Sequence, residues 1–472
     1  MLLATVRTSV GFWDTGDLQT VAWIAGIPYP TGYPLYVGAG WLWTHALPVA
    51  SVAARVNALS AVAIAAGAAT LCGLALLLEV GTTVAILAGW MFAFAHTVWF
   101  RATYADAHPV GFAVAFLAVV FAVRWALRGE SRSAVAAIVL GALALAFDNT
   151  TVLILAGGAL LAFARPLPVR PAALAAAAAV LIVVAAYAYL PLRSAQLTAA
   201  RADPTLQLGV EPGRPFWDDH HPASREGFRA LVAGSEWGPG TTLAHLFSID
   251  AIRKTEQRFG PDLGADFPQG LTIAALLGLG FLAWRLPLVG LGLIVAAVLP
   301  ALFGGSYRAE ADPERYAFAL YAVTVLGIAL AADRAVRAIS PARSAVARRI
   351  VVGLLIVAIA WELRGGTDLF EGRDDQDAAI LGATVAAATH DDAVVISPWD
   401  WATPLAYRAY VEGAFGHRIV LCAFPEDYAN RIGAWLRTRQ VAIVAEVPPA
   451  IPGFAVRRLR SGHPGVFEVI VR

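Results

Sequence analysis

The chain has very little lysine and cysteine, and few charges of either sign. Lys254 is its single lysine, charged residues make up 15% of the 472 residues, and the formal net charge is +1. This balance excludes a basic face for nucleic acid. Its two cysteines, Cys72 and Cys422, fall in an apolar run and in a polar tail, which excludes a stabilising disulfide framework.

What is abundant is apolar sequence, at 58% of the chain. Segment after segment reaches the roughly 20 apolar residues needed to cross about 30 Å of hydrocarbon. We therefore predict an α-helical polytopic membrane protein with about 8–10 transmembrane helices. The predicted spans are 54–79, 82–99, 109–127, 134–147, 150–164, 172–192, 268–284, 287–303, 316–332 and 349–363. The pair 134–147 and 150–164 is short for two crossings and also fits a re-entrant hairpin.

The arginines predict the orientation, because cytoplasmic loops are enriched in positive charge. They cluster in alternating loops, at 124–132, 165–170, 285 and 334–349. These loops define the cytoplasmic face, and the unusual polar motifs then fall together on the opposite, extracytoplasmic face. Because the alanine and arginine bias is typical of a G+C-rich genome, we expect a multi-pass protein of a bacterial cytoplasmic membrane.

Four segments follow from the pattern of apolar runs. They are an N-terminal membrane half at 1–193, an extracytoplasmic polar loop at 194–267, further spans at 268–363 and an extracytoplasmic domain at 365–472. The first half opens with two interfacial helices near 17–26 and 34–47, separated by a run of prolines and glycine.

Past residue 365 the apolar runs shorten to strand length. Runs such as 393–396 and 418–421 alternate with helix-like stretches near 400–414 and 426–438. This alternation predicts a small soluble α/β domain.

Several motifs resemble one family. They are the acidic motif Phe12–Asp17, the Pro/Gly-rich motif Gly26–Tyr36, Arg55-Val56-Asn57, Tyr189–Arg193 and Ser397–Trp401. Together they resemble the protein O-mannosyltransferase-like membrane proteins, catalogued as a domain of unknown function, and the likeness extends over nearly the whole chain. The resemblance implies a GT-C fold and an enzyme that takes sugar from a polyprenyl-phosphate donor, with mannose as the family's sugar. One departure is Ala102, where the family often has glutamate, which leaves Asp106 as the nearest acid.

Asp14 is the first candidate for the catalytic carboxylate. Inverting transfer of a sugar to a hydroxyl needs one carboxylate that takes the hydroxyl proton as the new bond forms. Asp14 stands at the expected membrane boundary, and the resemblance implies that it is this base. The alternative is that it caps a helix that begins near Gly16. Asp17 is the second candidate, either for acceptor binding or for first-turn complementation of the helix dipole.

A phosphate on the donor needs cations to bind it and to stabilise it as a leaving group. Arg193, Arg101 and His108 are placed for this role, and Arg315 is a further candidate. Arginine can hold phosphate oxygens bidentately. The alternative is that an arginine at the outer end of a span extends into the lipid headgroups to keep its charge in water.

Other polar residues are candidates for contacts to the sugar or the acceptor. They are Tyr33, Asp106, Asp148, Asn149, Asp218, His220, Tyr307, Asp312, Trp399 and Asp400. Asp148 and Asn149 fit a turn cap equally well, and the loop of Tyr307 and Asp312 fits a solvated surface. Trp399 could stack on a sugar ring or pack the soluble domain against the membrane half.

The acids and histidines at 218–221 are metal-type ligands, but adjacent side chains rarely point at one ion, so no metal site and no cofactor is predicted. A divalent cation has no support in the sequence.

The implied partners are a polyprenyl-phosphate-linked sugar, a protein, glycan or lipid acceptor, and membrane lipid. A transporter or flippase, or an inactive scaffold, remains an alternative class. Transporter sites lie near the bilayer midplane, whereas the polar motifs here lie at one end of the spans, which favours an interfacial enzyme.

Overall fold

A computed structural model describes residues 1–210, 217–234, 246–306, 312–339 and 341–472, the last without the side chains of 341–344. Tyr307, predicted to line the sugar site, lies outside the described residues. Most of the described chain is helical, and a small sheet lies near its C-terminus, so the predicted fold class is confirmed.

Fifteen described helices precede the C-terminal domain. They are α1 (Trp13–Ile24), α2 (Pro34–Ala46), α3 (Val52–Leu77), α4 (Thr82–Phe94), α5 (His96–Arg101), α6 (Ala107–Arg128), α7 (Ser131–Phe147), α8 (Val152–Leu160), α9 (Val169–Ala199), α10 (Arg225–Ala233), α11 (Ile249–Asp266), α12 (Gln269–Arg285), α13 (Pro287–Ser306), α14 (Phe318–Ala338) and α15 (Pro341–Gly365). Single turns of 3-10 helix join some of them, at Leu2–Ala4, Asn149–Thr151, Leu161–Ala164, Pro204–Leu208 and Pro313–Tyr316.

Five of the described helices are long and apolar enough to cross a membrane. They are α3, α6, α9, α13 and α14, and the pair α11–α12, bent by 105°, would make six. The apolar stretches 82–94, 131–147 and 149–164 are shorter. The membrane-embedded helical architecture is therefore confirmed, while the number of crossings stays a prediction.

Two predicted segments differ from the structure. The span predicted at 82–99 is broken at Ala95, because the Glu362 and Asp266 carboxylates accept the N–H groups of His96 (3.2 Å) and Thr97 (3.3 Å) and so cap a separate helix, α5. The region 194–267, predicted as a polar loop, contains α10 and α11 and the last turn of α9.

The arginine-rich loops lie against the ends of neighbouring helices. Arg165 donates to the carbonyls of Ala126 (3.1 Å) and Leu127 (3.2 Å), which joins the loop after α8 to the last turn of α6. Arg348 donates to the Thr83 hydroxyl at 3.1 Å, which joins α15 to the start of α4. Arg165 therefore lies at the end of α6 opposite to Asp106.

The C-terminal domain is a five-stranded mixed sheet with helices on both faces. After a short helix α16 (Thr367–Glu371) come α17 (Asp377–Ala388), β1 (Val394–Ser397), α18 (Trp399–Tyr410), β2 (Ile419–Cys422), α19 (Ala429–Trp435), β3 (Val441–Ala445), β4 (Phe454–Arg460) and β5 (Gly465–Val471). The strand order is β2-β1-β3-β5-β4, with β1 parallel to β2 and β3. Both strands and both helices predicted for this region are present.

The core of this domain has two apolar layers. Leu381 of α17 and Leu405 of α18 pack on one face of the sheet, and Ile432 of α19 packs on the other. The helix α18 also packs against α1, and through it the C-terminal domain meets the N-terminal membrane half.

Candidate active site

Asp14 lies in the first turn of α1, and both of its carboxylate oxygens are bonded. Arg315 donates from Nη1 to Oδ2 at 2.9 Å, and the Trp399 indole donates from Nε1 to Oδ1 at 3.0 Å. The side chain is 26% exposed. The helix begins at Trp13 with Phe12 at the N-cap, so the alternative that Asp14 caps a helix is wrong.

A glycine in the acidic motif allows this close approach. A Cβ at Gly16 would lie 2.6 Å from the Gly11 carbonyl oxygen and 2.8 Å from the Thr403 hydroxyl. Only glycine lets α1 and α18 come this near without displacing backbone. The motif Asp14-Thr15-Gly16-Asp17 therefore carries both the carboxylate and the residue that brings the C-terminal domain to it.

The network continues through two arginines, the buried Arg101 and the largely buried Arg315, and two further carboxylates. Asp312 bridges the arginines, with Oδ2 3.1 Å from Arg315 and Oδ1 2.8 Å from Arg101, and Glu314 accepts a short bond from Arg101. Arg101 is 2% exposed, and its Nε and Nη1 atoms have no partner within the part of the chain that the structure describes. Burial opposes ionisation of Asp312, but Arg101 and Arg315 outweigh it and hold the pKa of Asp312 below its usual value.

A second buried cluster lies beside this network. Asp106 caps α6 by accepting the His108 N–H at 2.9 Å, and its Oδ1 is 2.8 Å from His108 Nδ1. His108 Nε2 faces Asp148 Oδ2 at 3.8 Å. Although burial raises the pKa of Asp106, His108 and Arg315 lower it more, so the pKa lies well below its ordinary value. Asp106 is thus an anion, and His108 lies between two carboxylates.

The other predicted residues of this region have structural partners. Asp148 caps the turn at 149–151 by accepting the Thr150 N–H at 2.9 Å, and Asn149 donates to the Val232 carbonyl at 3.1 Å. Tyr33 precedes α2, its hydroxyl donates to the Pro30 carbonyl at 3.2 Å, and its ring lies 6.1 Å from that of His108. These contacts are those of capping and packing residues that border the site.

Asp17 is fully buried behind Asp14. Its Oδ2 accepts the Tyr29 N–H at 3.3 Å, and Oδ1 has no partner among the described residues. It is the fifth residue of α1, so the alternative of first-turn dipole complementation is wrong. Burial, followed by the charges of Asp219 and Asp14, raises the pKa of Asp17 well above its ordinary value. Burial therefore favours the neutral form of the Asp17 carboxyl over the ionised form.

Asp17→Asn is expected to change the pH dependence of stability while leaving the fold intact. Because the pKa of Asp17 is raised on folding, its contribution to stability is present below the unfolded pKa of about 4 and is lost as pH rises toward the folded value. Asn mimics the neutral acid and can still accept the Tyr29 N–H. Thermal unfolding of both proteins from about pH 5 to about pH 8 should show the variant gaining relative to wild type as pH rises. Parallel profiles would contradict the raised pKa, and Asp375→Asn at the surface is the matched control.

Arg193 and Tyr189 of α9 donate hydrogen bonds to the C-terminal end of α1. Arg193 donates from Nε to the Ala25 carbonyl (2.8 Å) and from Nη2 to the Ile24 carbonyl (3.1 Å), and the Tyr189 hydroxyl donates to the Ala25 carbonyl at 2.6 Å. The last carbonyls of a helix have no partners within it. This pair satisfies them and ties the helix that carries Asp14 to a membrane span.

The loop at 217–221 forms two separate acid–histidine pairs. Asp218 Oδ2 is 2.8 Å from His221 Nδ1, and Asp219 Oδ1 is 3.1 Å from His220 Nδ1. Within the described ranges no group of three or more His, Cys, Asp or Glu side chains is arranged to hold a metal ion. The backbone of Asp218 pairs with Ile27, which places this loop over the end of α1.

Asp400 follows Trp399 in the first turn of α18 and is half-buried. Burial, with a smaller effect from Glu446, raises the pKa of Asp400 above its ordinary value. Glu446 directly follows β3, so the charged residue that influences Asp400 belongs to the C-terminal domain and not to the Asp14 network. Of the motif Trp399-Asp400-Trp401, only Trp399 is bonded to Asp14.

Two features of the site were not predicted. The bond between Trp399 and Asp14 joins residues 385 positions apart, and no sequence pattern indicates such a pairing. Tyr316 has its ring 5.0 Å from the His108 ring, edge to face, and so borders the cluster. The one sequence feature that indicates a place for Tyr316 at the site is its position directly after Arg315, in the loop that also contains Asp312.

Comparison with known proteins identifies the N-terminal region and the fold. Residues 14–169 match the family model described as the protein O-mannosyl-transferase TMEM260 N-terminal domain. Comparison by sequence with curated proteins gives no match. The region that matches the family model includes Asp14 and Asp17 of the acidic motif, together with Arg101, Asp106, His108 and Asp148.

Two solved structures of ArnT from Cupriavidus metallidurans have a similar fold. The apo structure has a TM-score of 0.60 at 11% identity, and the structure bound to undecaprenyl phosphate has a TM-score of 0.63 at 12% identity. Each comparison covers 99% of this chain and 95% of the other. Both findings agree with the predicted resemblance: residues 14–169 match the model of the protein O-mannosyl-transferase TMEM260 N-terminal domain, and over nearly its whole length the chain has a fold similar to that of ArnT.

Proposed function

We propose that the protein transfers a sugar from a polyprenyl-phosphate donor to the hydroxyl of a protein, glycan or lipid acceptor, with inversion. The single observation that carries this proposal is the contact of Asp14 with Arg315 in a half-enclosed site at the end of the membrane helices. A carboxylate able to take a proton thus lies beside a cation able to hold a phosphate. The name of the N-terminal domain suggests mannose as the sugar.

In this mechanism the acceptor hydroxyl attacks the anomeric carbon while Asp14 takes its proton. The bond between the anomeric carbon and the phosphate oxygen breaks, and the bonding electron pair leaves with the polyprenyl phosphate. A carboxylate in this role needs access to the acceptor and fixed orientation. Its partial exposure meets the first need, and the bonds from Arg315 and Trp399 meet the second.

Arg101 and Arg315 are proposed to bind the donor phosphate. Asp312 supports this assignment, since its two oxygens bridge the two guanidinium groups much as two phosphate oxygens would. Asp312 is 42% exposed and can therefore move aside when the phosphate arrives. Arg193 is assigned a positioning role through α1, because its guanidinium is bonded to backbone carbonyls.

The reaction is proposed to take place on the extracytoplasmic face of a bacterial cytoplasmic membrane. Support comes from the alternation of the arginine-rich loops along the sequence. In the folded chain those loops lie apart from the Asp14 network, at the other ends of α6, α9 and α14. The C-terminal domain then shares the face of the site.

Purified protein in detergent is expected to release undecaprenyl phosphate from an undecaprenyl-phosphate-linked mannose, slowly with water and faster with a hydroxyl acceptor. Release is measured by mass spectrometry of the lipid fraction, and a panel of other hexose and pentose donors tests the sugar. A transporter or a scaffold would leave every donor intact. Intact donors across the panel, with protein that is folded by thermal unfolding, would exclude the proposed activity.

A further inference from the structure

The Tyr29 hydroxyl is a buried polar group beside the Asp14 network. Tyr29 lies in the loop between α1 and α2, and the residue is 5% exposed. Its hydroxyl has no hydrogen-bond partner within the ranges that the structure describes. Because a buried hydroxyl without a partner destabilises a protein, its presence at a candidate site indicates a contact to a ligand.

The surrounding residues fix the position of this tyrosine. Its N–H donates to Asp17 Oδ2 at 3.3 Å, and its ring packs edge to face against the rings of Tyr33 (centroids 5.3 Å apart) and Trp399 (6.1 Å apart). Two residues earlier, the N–H of Ile27 donates to the Trp217 carbonyl at 2.6 Å, which fixes the start of the loop. The hydroxyl is therefore in place before a substrate binds, as precise recognition requires.

The charges that act on the Tyr29 phenol place it near the reacting groups. Burial, followed by the charge of Asp14, raises the pKa of Tyr29 well above its ordinary value, and the charge of Arg315 opposes this rise less strongly. A phenol with a raised pKa keeps its proton at neutral pH. Tyr29 is therefore a hydrogen-bond donor in this site and not a base.

The proposed mechanism puts the sugar among the groups that affect this phenol. Asp14 takes the proton of the acceptor hydroxyl, and Arg315 holds the phosphate that leaves. The acceptor oxygen and the phosphate oxygen are both joined to the anomeric carbon in the transition state, so that carbon lies between the groups that Asp14 and Arg315 contact. A phenol that both residues affect therefore lies next to the sugar ring, close to its anomeric carbon.

We propose that Tyr29 donates a hydrogen bond to the hydroxyl on carbon 2 of the transferred sugar and so selects donors that carry this hydroxyl. The inference rests on the proposed function and adds to it the recognition of the sugar. Carbon 2 is one neighbour of the anomeric carbon, and the ring oxygen is the other. The ring oxygen gains positive charge in the transition state, which disfavours a hydrogen-bond donor beside it, whereas hydrogen bonds to the 2-hydroxyl strengthen.

The test compares Tyr29→Phe with Tyr36→Phe on a matched pair of donors. One donor is the undecaprenyl-phosphate-linked sugar that wild type turns over fastest, and the other is its 2-deoxy analogue. For each donor kcat/KM is measured by mass spectrometry of the released lipid, and comparing the ratio between wild type and variant removes the intrinsic difference in donor reactivity. Tyr36 of α2 is the control, because its buried phenol belongs to the same aromatic cluster but is affected by the charge of Asp106 rather than that of Asp14.

Tyr29→Phe is expected to lower kcat/KM for the complete donor by about tenfold to a hundredfold, since a hydrogen bond in an enclosed site is lost. The 2-deoxy donor should be turned over nearly as well as by wild type, and Tyr36→Phe should keep the wild-type ratio of the two donors. Binding of undecaprenyl phosphate should not change. Tyr29→Phe should also unfold at the same temperature as wild type or higher, because it removes a hydroxyl without a partner among the described residues.

Equal losses on the two donors would overturn the role of Tyr29 in sugar recognition and leave the proposed function standing. A lower unfolding temperature of Tyr29→Phe would overturn it too, since the hydroxyl would then have a partner within the chain. Weaker binding of undecaprenyl phosphate by the variant would assign the hydroxyl to the phosphate instead. If wild type turned over no donor at all, the proposed glycosyl transfer itself would be rejected.

Discussion

Asp14→Asn is expected to lower sugar transfer by about 10²- to 10⁴-fold, the usual effect of removing a general base. Asparagine keeps the size of the side chain and one oxygen for Arg315 or Trp399, but it cannot take a proton. The loss should appear in kcat, with binding of undecaprenyl phosphate close to that of wild type. Turnover of an undecaprenyl-phosphate-linked sugar is the measurement, alongside thermal unfolding.

Asp312→Asn is the matched control, because it also removes a carboxylate from Arg315. If Asp312 stands where the donor phosphate binds, its loss should leave kcat nearly unchanged and tighten the binding of undecaprenyl phosphate. An equal fall in kcat for both variants would assign the effect to the ion-pair network rather than to a base. Substantial turnover by Asp14→Asn would exclude Asp14 as the base. Asp106, a buried anion near the arginines, would then be the next candidate for that role.

Local features of the fold follow from the sequence because they depend on neighbouring residues. The run of prolines and glycine between α1 and α2 and the strand-length runs predicted at 393–396 and 418–421, which form β1 and β2, are set within a few positions. The break in the span at Ala95 is different. It depends on Glu362 and Asp266, which lie far along the chain and cap α5 only after the helices have assembled.

The same distinction applies to the candidate site. The family motif predicts Asp14 as the catalytic base. The need for cations around a phosphate predicts Arg101 and Arg315 as donor-binding residues. The sequence could not tell which arginines meet that carboxylate. Arg315 lies beside Asp14, whereas Arg193, which was also predicted to bind phosphate, is bonded to the end of α1. The positioning role of Arg193 becomes evident only in the folded chain, where α9 packs on α1 and its guanidinium is bonded to the carbonyls of Ala25 and Ile24.

The hydrogen bond from Trp399 connects the C-terminal domain to the proposed base, Asp14. Trp399→Phe is therefore expected to lower transfer by about tenfold to a hundredfold, the effect of losing a hydrogen bond to a charged group that orients a reacting atom. Phenylalanine keeps an aromatic ring against Tyr29, whose ring lies 6.1 Å away, so packing is largely retained. Hydrolysis of the donor and transfer to the acceptor should fall together, because both use Asp14.

Trp401→Phe is the control for this substitution. Trp401 is on the same turn of α18 and packs with the apolar layer beneath the sheet. It should affect stability more than turnover, whereas Trp399→Phe should show the reverse. A selective loss of acceptor transfer with donor hydrolysis intact would instead assign the C-terminal domain to acceptor binding and leave Asp14 oriented by Arg315 alone.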